Sequence, residues 1–242
     1  MYSNDAKYYD CINAKLQYKD IDLYVKLVKK LKPTSICELA CGTGRIISKL
    51  KRYAQKCIGI DISEDMLKIA RSKYADIDFI YGDMCVPSKY GSYDMIICGY
   101  NSLQHILKHE DLLSFFKLVD MNLSHHGYLI IDVFNPNNKY LFPKGNEKEL
   151  VSFYFDDSLI EVVERTKYNP KTKNNHINYR YNKDGKFSFS ESYIQHQYSA
   201  KELDATIEMA GFKIIVKYGN YEAGFFSDAS EKQIIIAKKQ LM

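Results

Sequence analysis

From residue 19 onward the chain alternates two hydrophobic periods, and that alternation restricts its fold more than any other feature. Residues 20–31 place Ile21, Tyr24, Val25, Leu27, Val28 and Leu31 on one broad face, which predicts a helix ending before Pro33. Short apolar runs follow at Ile36–Leu39, Cys57–Ile60, Phe79–Tyr81, Met95–Cys98 and Tyr128–Val133, each long enough for one strand. Between them Arg45–Tyr53, Ser63–Tyr74 and His109–Asn122 return to helical spacing. Strands that alternate with helices need crossover connections, and these give a mainly parallel sheet covered on both faces. The expected fold class is α/β, doubly wound.

The rhythm changes after Pro136. Residues 149–156, 159–168, 175–182 and 187–198 are rich in Tyr, Phe, Val and Ile, with turn signals at Asp156-Asp157, Asn169-Pro170 and Lys183-Asp184-Gly185. This predicts an antiparallel β insertion. Ser199 is placed to cap a helix carrying Leu203, Ile207 and Met209, with Gly211 to end it and strands at Phe212–Tyr218 and Gln233–Ala237 returning to the main sheet. Four segments result: an N-terminal lid at 1–18, a core at 19–138, the β insertion at 139–199 and the return at 200–242.

Composition narrows the function classes. With 242 residues, 46% hydrophobic and 26% charged, the chain can bury a core unaided, and no apolar run approaches the roughly 20 residues of a membrane span. The start Met1-Tyr2-Ser3-Asn4-Asp5 is polar and lacks the design of a signal peptide, so a cytoplasmic location is expected. The six cysteines form no C-x-x-C pair, which predicts reduced, mostly buried thiols and no metal site. A net charge of +4, spread along the chain, is a weak footprint for nucleic acid, so no nucleic-acid partner is expected. Tyrosine, present 21 times, suits the lining of small-molecule pockets.

In an open α/β sheet ligands bind at the carboxyl ends of the strands, where strand order reverses. The first strand runs into Glu38 and then Gly42-Thr43-Gly44, where glycine permits positive φ and lets a ligand approach the backbone. The second ends at Asp61, an acid able to accept both hydroxyls of a ribose. The third ends at Gly82-Asp83-Met84, a carboxylate for an adenine amino group beside a methionine for the ring. A dinucleotide loop would want G-x-G-x-x-G, and Ile47 stands at the third position. An acid just before the turn would also repel a pyrophosphate.

These segments, Glu38-Leu39-Ala40-Cys41-Gly42-Thr43-Gly44, Ile60 through Leu67, Gly82-Asp83-Met84 and Tyr93 through Ile97, resemble the class I S-adenosylmethionine-dependent methyltransferases. The resemblance implies a seven-stranded Rossmann-like sheet and S-adenosylmethionine as cofactor, with S-adenosylhomocysteine as product. It implies that Glu38, Ala40, Gly42 and Gly44 hold the methionine part, Asp61 the ribose, and Asp83 with Met84 the adenine, while Ile62, Met66 and Asn101 border the pocket. Ala6-Lys7-Tyr8-Tyr9-Asp10 resembles the aromatic segment that folds over the cofactor in this family, which makes Tyr9 a candidate contact to cofactor or substrate.

The acceptor must be read from the fourth strand onward. Asn101-Ser102-x-x-His105 resembles glycine N-methyltransferases, and the insertion and tail look like bacterial amino-sugar N-methyltransferases. The glycine enzymes carry an arginine after the fifth strand, where this chain has Phe134, so an amino-acid substrate is disfavoured. The expectation is N-methylation of a small amine by a monomer or homodimer. The alternatives are a small-molecule O-methyltransferase with His105 as its base, an RNA-modifying enzyme and a non-catalytic cofactor-binding subunit. Arg165, Arg180 and Tyr193 are the insertion's candidates for the pocket wall.

Overall fold

The computed structural model describes residues 5–16, 19–137, 141 and 147–240. The polar start at 1–4 and the segment boundaries expected at 18 and 139 lie outside the described residues. In chain order the elements are a 3-10 turn at Ala6–Tyr8, α1 (Tyr9–Leu16), α2 (Asp20–Leu31), β1 (Ser35–Leu39), α3 (Arg45–Leu50), β2 (Lys56–Asp61), α4 (Glu64–Lys73), β3 (Asp78–Tyr81) and β4 (Tyr93–Cys98). A 3-10 turn at Ser102–His105 leads to α5 (His109–Asn122) and β5 (Leu123–Phe134). Then come β6 (Lys148–Phe155), β7 (Ser158–Asn169), β8 (Asn174–Lys183), β9 (Lys186–His196), α6 (Ala200–Met209), β10 (Phe212–Tyr218) and β11 (Lys232–Lys239).

Seven strands form one sheet in the order β10-β11-β5-β4-β1-β2-β3. β1 pairs in parallel with both β2 and β4, so the chain reverses its direction of sheet growth between β1 and β4. β11 runs antiparallel to β5 and to β10. Side chains alternate faces along each strand, and the two cores follow that period. Cys37, Leu39, Ile58, Ile60, Ile96, Cys98, Leu129 and Ile131 pack under α5 and α6, while Ile36, Cys57, Met95, Ile97, Ile130, Ile234 and Ile236 pack under α2, α3 and α4. Both faces being buried is why the strands read as continuous apolar runs.

The insertion is a separate sheet in the order β6-β7-β8-β9, antiparallel throughout. Asp156 and Asp157 both take positive φ, 46° and 61°, as do Asp184 and Gly185 at 51° and 74°, the two-residue hairpin geometry that matches strand twist. Ser199 caps α6 by accepting from the Glu202 N–H at 3.3 Å. α1 was not legible as a helix, because Tyr-Asp-Cys-Ile-Asn-Ala-Lys-Leu lacks an apolar stripe and its buried residue is Asn13. β5 begins earlier than the apolar run at Tyr128, at the buried Leu123, and the polar stretch Ser124-His125-His126 lies within an irregularity in the pairing with β4. Among the described residues no helix is long and apolar enough to cross a membrane.

Candidate active site

The glycine turn leaves β1 where strand order reverses. Ala40, Gly42 and Gly44 all take left-handed backbone, with φ of 55°, 55° and 78°. The turn is fixed by Cys41 N–H donating to Ile60 O at 3.1 Å and Gly44 N–H donating to Cys41 O at 2.9 Å. The two glycines have different duties. A Cβ on Gly44 would stand 2.7 Å from Phe79 Cζ, whereas one on Gly42 would meet nothing within 4 Å. Gly44 seals the turn onto the core, and Gly42 presents bare backbone to open space. Ala40 holds the same conformation at a cost of roughly 1–2 kcal/mol, the kind of strain retained at functional sites. Gly44→Ala is expected to lower stability by about 2 kcal/mol or more through strain and the Phe79 clash, read from the urea midpoint.

The strand-end acids stand side by side because β3, β2 and β1 are neighbours in the sheet. Asp61 is buried; its Oδ2 accepts from Gly42 N–H at 2.7 Å and its Oδ1 from Ser63 N–H at 2.8 Å. One carboxylate therefore fixes both the glycine turn and the start of α4, while burial raises its pKa against these bonds. Glu38, 3% exposed, accepts from Ile47 N–H at 2.9 Å, and burial pushes its carboxyl up to about 8. Asp83 is half-buried, with Oδ1 accepting from Cys85 N–H at 2.8 Å. Met84 and Ile62 are half-buried beside these acids in sequence, whereas Met66, inside the first turn of α4, is closed off at 1% exposure.

A buried polar network that sequence reading missed lies on the α2 and α3 side. Asp132, fully buried on β5, accepts from the Tyr24 hydroxyl at 3.0 Å, the Tyr221 hydroxyl at 2.8 Å and Tyr100 N–H at 3.2 Å, and pairs with Lys232 Nζ at 3.0 Å. Lys232 also donates to Asn101 Oδ1 at 2.8 Å, so Asn101 reaches the cleft rim with its carbonyl oxygen already engaged. Lys232 Nζ stands 4.2 Å from the Phe134 ring centroid, so a cation lies beside the position at which the sequence has Phe134 in place of an arginine. Beside it Arg45 forks onto Asp20 at 3.0 and 2.5 Å and lies over the Tyr100 ring. One signal for Arg45 was available: a cation opening a helix opposes the helix dipole and needs a partner.

The N-terminal elements lie against the glycine turn and α4. Asp10 accepts from Thr43 Oγ1 at 2.7 Å and Lys73 Nζ at 2.5 Å, tying α1 to the glycine turn and to α4. Adjacent tyrosines then point to different sheets. Tyr8 packs with Phe153, Phe155, Tyr181 and Phe189 of the insertion, while the half-buried Tyr9 phenol is raised first by burial and lies within the fields of Arg45 and Glu38. His105 closes the 3-10 turn after β4; burial pushes its imidazole down to about 4, and its ring centroid lies 6.3 Å from that of Tyr193 on β9. Tyr193 is buried on the inner face. Arg165 and Arg180 are not: strand alternation turns both to the outer face, where they line an open depression of about 320 Å³ with Asn178 and Phe187. The six cysteines are free thiols, and among the described residues no group of three or more metal-ligating side chains assembles.

Residues 36–127, from the buried β1 through the start of β5, match a family model described as a methyltransferase domain. Over that stretch the chain is similar to methyltransferase domains. Glu38, Gly42, Gly44, Asp61, Asp83, Asn101 and His105 all lie within it, whereas Tyr9, Asp132, Lys232 and the β6–β9 sheet lie outside. The chain is also similar to the demethylmenaquinone methyltransferase of Lactococcus lactis, 36% identical over 105 residues that cover 38% of this chain and 42% of that one. The chain spans about half the length of the first curated relatives it matches.

Solved structures extend the likeness to the parts outside that stretch. An S-adenosylmethionine-dependent methyltransferase from Clostridium acetobutylicum is 20% identical, with a TM-score of 0.80 over 97% of this chain and 96% of that one. The S-adenosylmethionine-bound amino pentose methyltransferase CalS10 from Micromonospora echinaspora is 14% identical, with a TM-score of 0.76 over 99% and 98%. At these identities the likeness is one of fold, with coverage that takes in the insertion.

Proposed function

We propose that the chain is an S-adenosylmethionine-dependent methyltransferase that methylates the nitrogen of a small amine by in-line transfer. The observation that carries the reading is the row of acids Asp83, Asp61 and Glu38 at adjacent strand ends around the bare backbone of Gly42. A buried carboxyl at Glu38 calls for a cationic partner, and S-adenosylmethionine offers an ammonium group and no phosphate. The residues present therefore suit this cofactor and would repel a dinucleotide. When bound, it supplies a methyl group on a positively charged sulfur, an electrophile that needs no further activation.

In this reading Glu38 and the backbone of Ala40 to Gly44 hold the methionine part, and Asp61 accepts from the ribose hydroxyls. Asp83 and Met84 hold the adenine, with Ile62 and Asn101 at the border, while the closed-off Met66 backs α4 from within. α1 acts as the lid that excludes water, with Tyr9 above the methionine part, and the β6–β9 sheet walls the acceptor space. The remaining work is alignment of nucleophile, methyl carbon and sulfur. A hydroxyl acceptor would need a base tuned near working pH, and His105 is too acidic for that, which favours an amine. As a neutral imidazole it can instead accept a hydrogen bond from the acceptor. Fold likeness to CalS10, an amino pentose methyltransferase, supports the same class.

The test is mass spectrometry after incubation with S-adenosylmethionine and a panel of amines, amino sugars and phenols. An amine gaining the mass of one methyl in place of a hydrogen is expected; transfer to phenols alone would overturn the nitrogen assignment. A pH effect follows from Glu38. Free, its carboxyl is mostly protonated below about 8; an ammonium bound beside it favours the carboxylate, so binding releases a proton. Affinity for S-adenosylhomocysteine is expected to rise with pH up to about 8 and then level, with proton release visible by calorimetry in two buffers of different ionisation enthalpy. A flat profile in wild type, or the same slope in Glu38→Gln, would remove Glu38 from this role.

A further inference from the structure

The inner face of the β6–β9 sheet carries an unexpected concentration of acids and phenols. Glu164, Tyr179 and Glu191 stand opposite one another in register across β7, β8 and β9, with Tyr181 and Tyr193 in the neighbouring rows. Onto this face the N-terminal segment brings Asp5, 4% exposed, whose Oδ2 accepts from the Tyr181 hydroxyl at 3.2 Å and from the Tyr193 hydroxyl. Its Oδ1 is buried and has no hydrogen-bond partner among the described residues. Burial raises the Asp5 carboxyl first, and the charge of Glu191 raises it further, so a second acid bears on the first.

A buried carboxylate oxygen without a donor, as Asp5 Oδ1 is, is costly unless a donor completes it. Tyr193, bonded to the other oxygen of the same carboxylate, leads toward the strand ends, its ring 6.3 Å from that of His105 in the 3-10 turn after β4. The Tyr179 ring, 5.7 Å from that of Tyr193, adds a second π face of the kind that attracts a cation. We propose that Asp5 and Glu191, framed by Tyr181 and Tyr193, seat the ammonium group of the acceptor. An alkylammonium has three N–H donors to give: Asp5 Oδ1 takes one of them, and when that proton passes to the carboxylate the nitrogen regains the lone pair that attacks the methyl carbon. The same face disfavours a carboxylate by repulsion and gains less from a neutral hydroxyl. Naming the occupant as the acceptor rests on the methyl-transfer reading; the ammonium site itself does not.

The experiment is calorimetric titration of cyclohexylamine, cyclohexanol and cyclohexanecarboxylate, three probes of similar shape and different charge, into protein loaded with S-adenosylhomocysteine. The ammonium is expected to bind about tenfold or more tighter than the alcohol, with no carboxylate binding, because a charge-assisted hydrogen bond outweighs a neutral one. Asp5→Asn and Glu191→Gln should each cut that preference severalfold while leaving S-adenosylhomocysteine affinity in place, and Glu191→Gln should leave the unfolding temperature in place as well. Glu191 is half-buried on the sheet, so its variant decides the matter if Asp5→Asn does not fold. Equal binding of ammonium and alcohol in wild type, or an undiminished preference in the variants, would overturn the proposal. Failure of S-adenosylhomocysteine to bind would instead sink the methyl-transfer reading, and the same probe series on the unloaded protein would still decide the ammonium site.

Discussion

Asp61→Ala is expected to weaken S-adenosylmethionine binding by about a hundredfold to ten-thousandfold. Two ribose hydroxyls donating to one carboxylate make two charge-assisted bonds of roughly 1.5–3 kcal/mol each, and every ~1.4 kcal/mol is tenfold in affinity. The variant also loses the acceptor for Gly42 N–H and Ser63 N–H, so the turn that presents the cofactor's site loosens together with the start of α4. Some loss of stability, about 1–3 kcal/mol, should accompany the loss of binding. Asp61→Asn keeps the size and one acceptor oxygen, and its affinity should fall between. Calorimetry reads the first effect and urea unfolding the second. A folded Asp61→Ala protein that binds the cofactor as wild type does would exclude Asp61 from the site.

The second large effect is expected at the buried pair of Asp132 and Lys232. Asp132→Ala would strand the Lys232 ammonium in the interior, 8% exposed at its side chain, and remove the acceptor of the Tyr24 and Tyr221 hydroxyls and of Tyr100 N–H. Breaking one side of a buried ion pair costs roughly 3–5 kcal/mol, because the remaining charge is left uncompensated. Lys232→Met alone should cost less, since three donors still satisfy Asp132, and the double variant Asp132→Ala with Lys232→Met should recover part of the loss. Urea midpoints of the four proteins form the cycle that checks this. Additive effects would mean that the two charges do not depend on each other.

The two halves of the molecule were unequally legible. Helix and strand periods survive in the sequence wherever an element buries one face or both, as in α2 with Leu23, Leu27 and Val28 buried, or β4 with Met95 to Cys98 buried. The strand-end acids were legible for a related reason: an acid such as Asp61 or Glu38 directly after a buried apolar run has no core role there. By contrast, α1 has no apolar stripe, and the tie from Asp10 to Thr43 and Lys73 joins residues far apart in the chain. Lys232 reads as one more basic residue until β11 is placed beside β5, which brings it onto Asp132 and Asn101. The faces of the insertion depend on register, and a one-residue slip would exchange Arg165 and Arg180 with Glu164 and Tyr179. No periodicity decided that register in advance.

The measurement that bears most directly on the account is calorimetric titration of the wild-type chain with S-adenosylmethionine, with NADH as the control ligand. Stoichiometric binding of S-adenosylmethionine is expected, strengthening toward pH 8 as Glu38 gives up its proton, with no heat from the dinucleotide. No binding of S-adenosylmethionine, or preferential binding of NADH, would contradict that expectation.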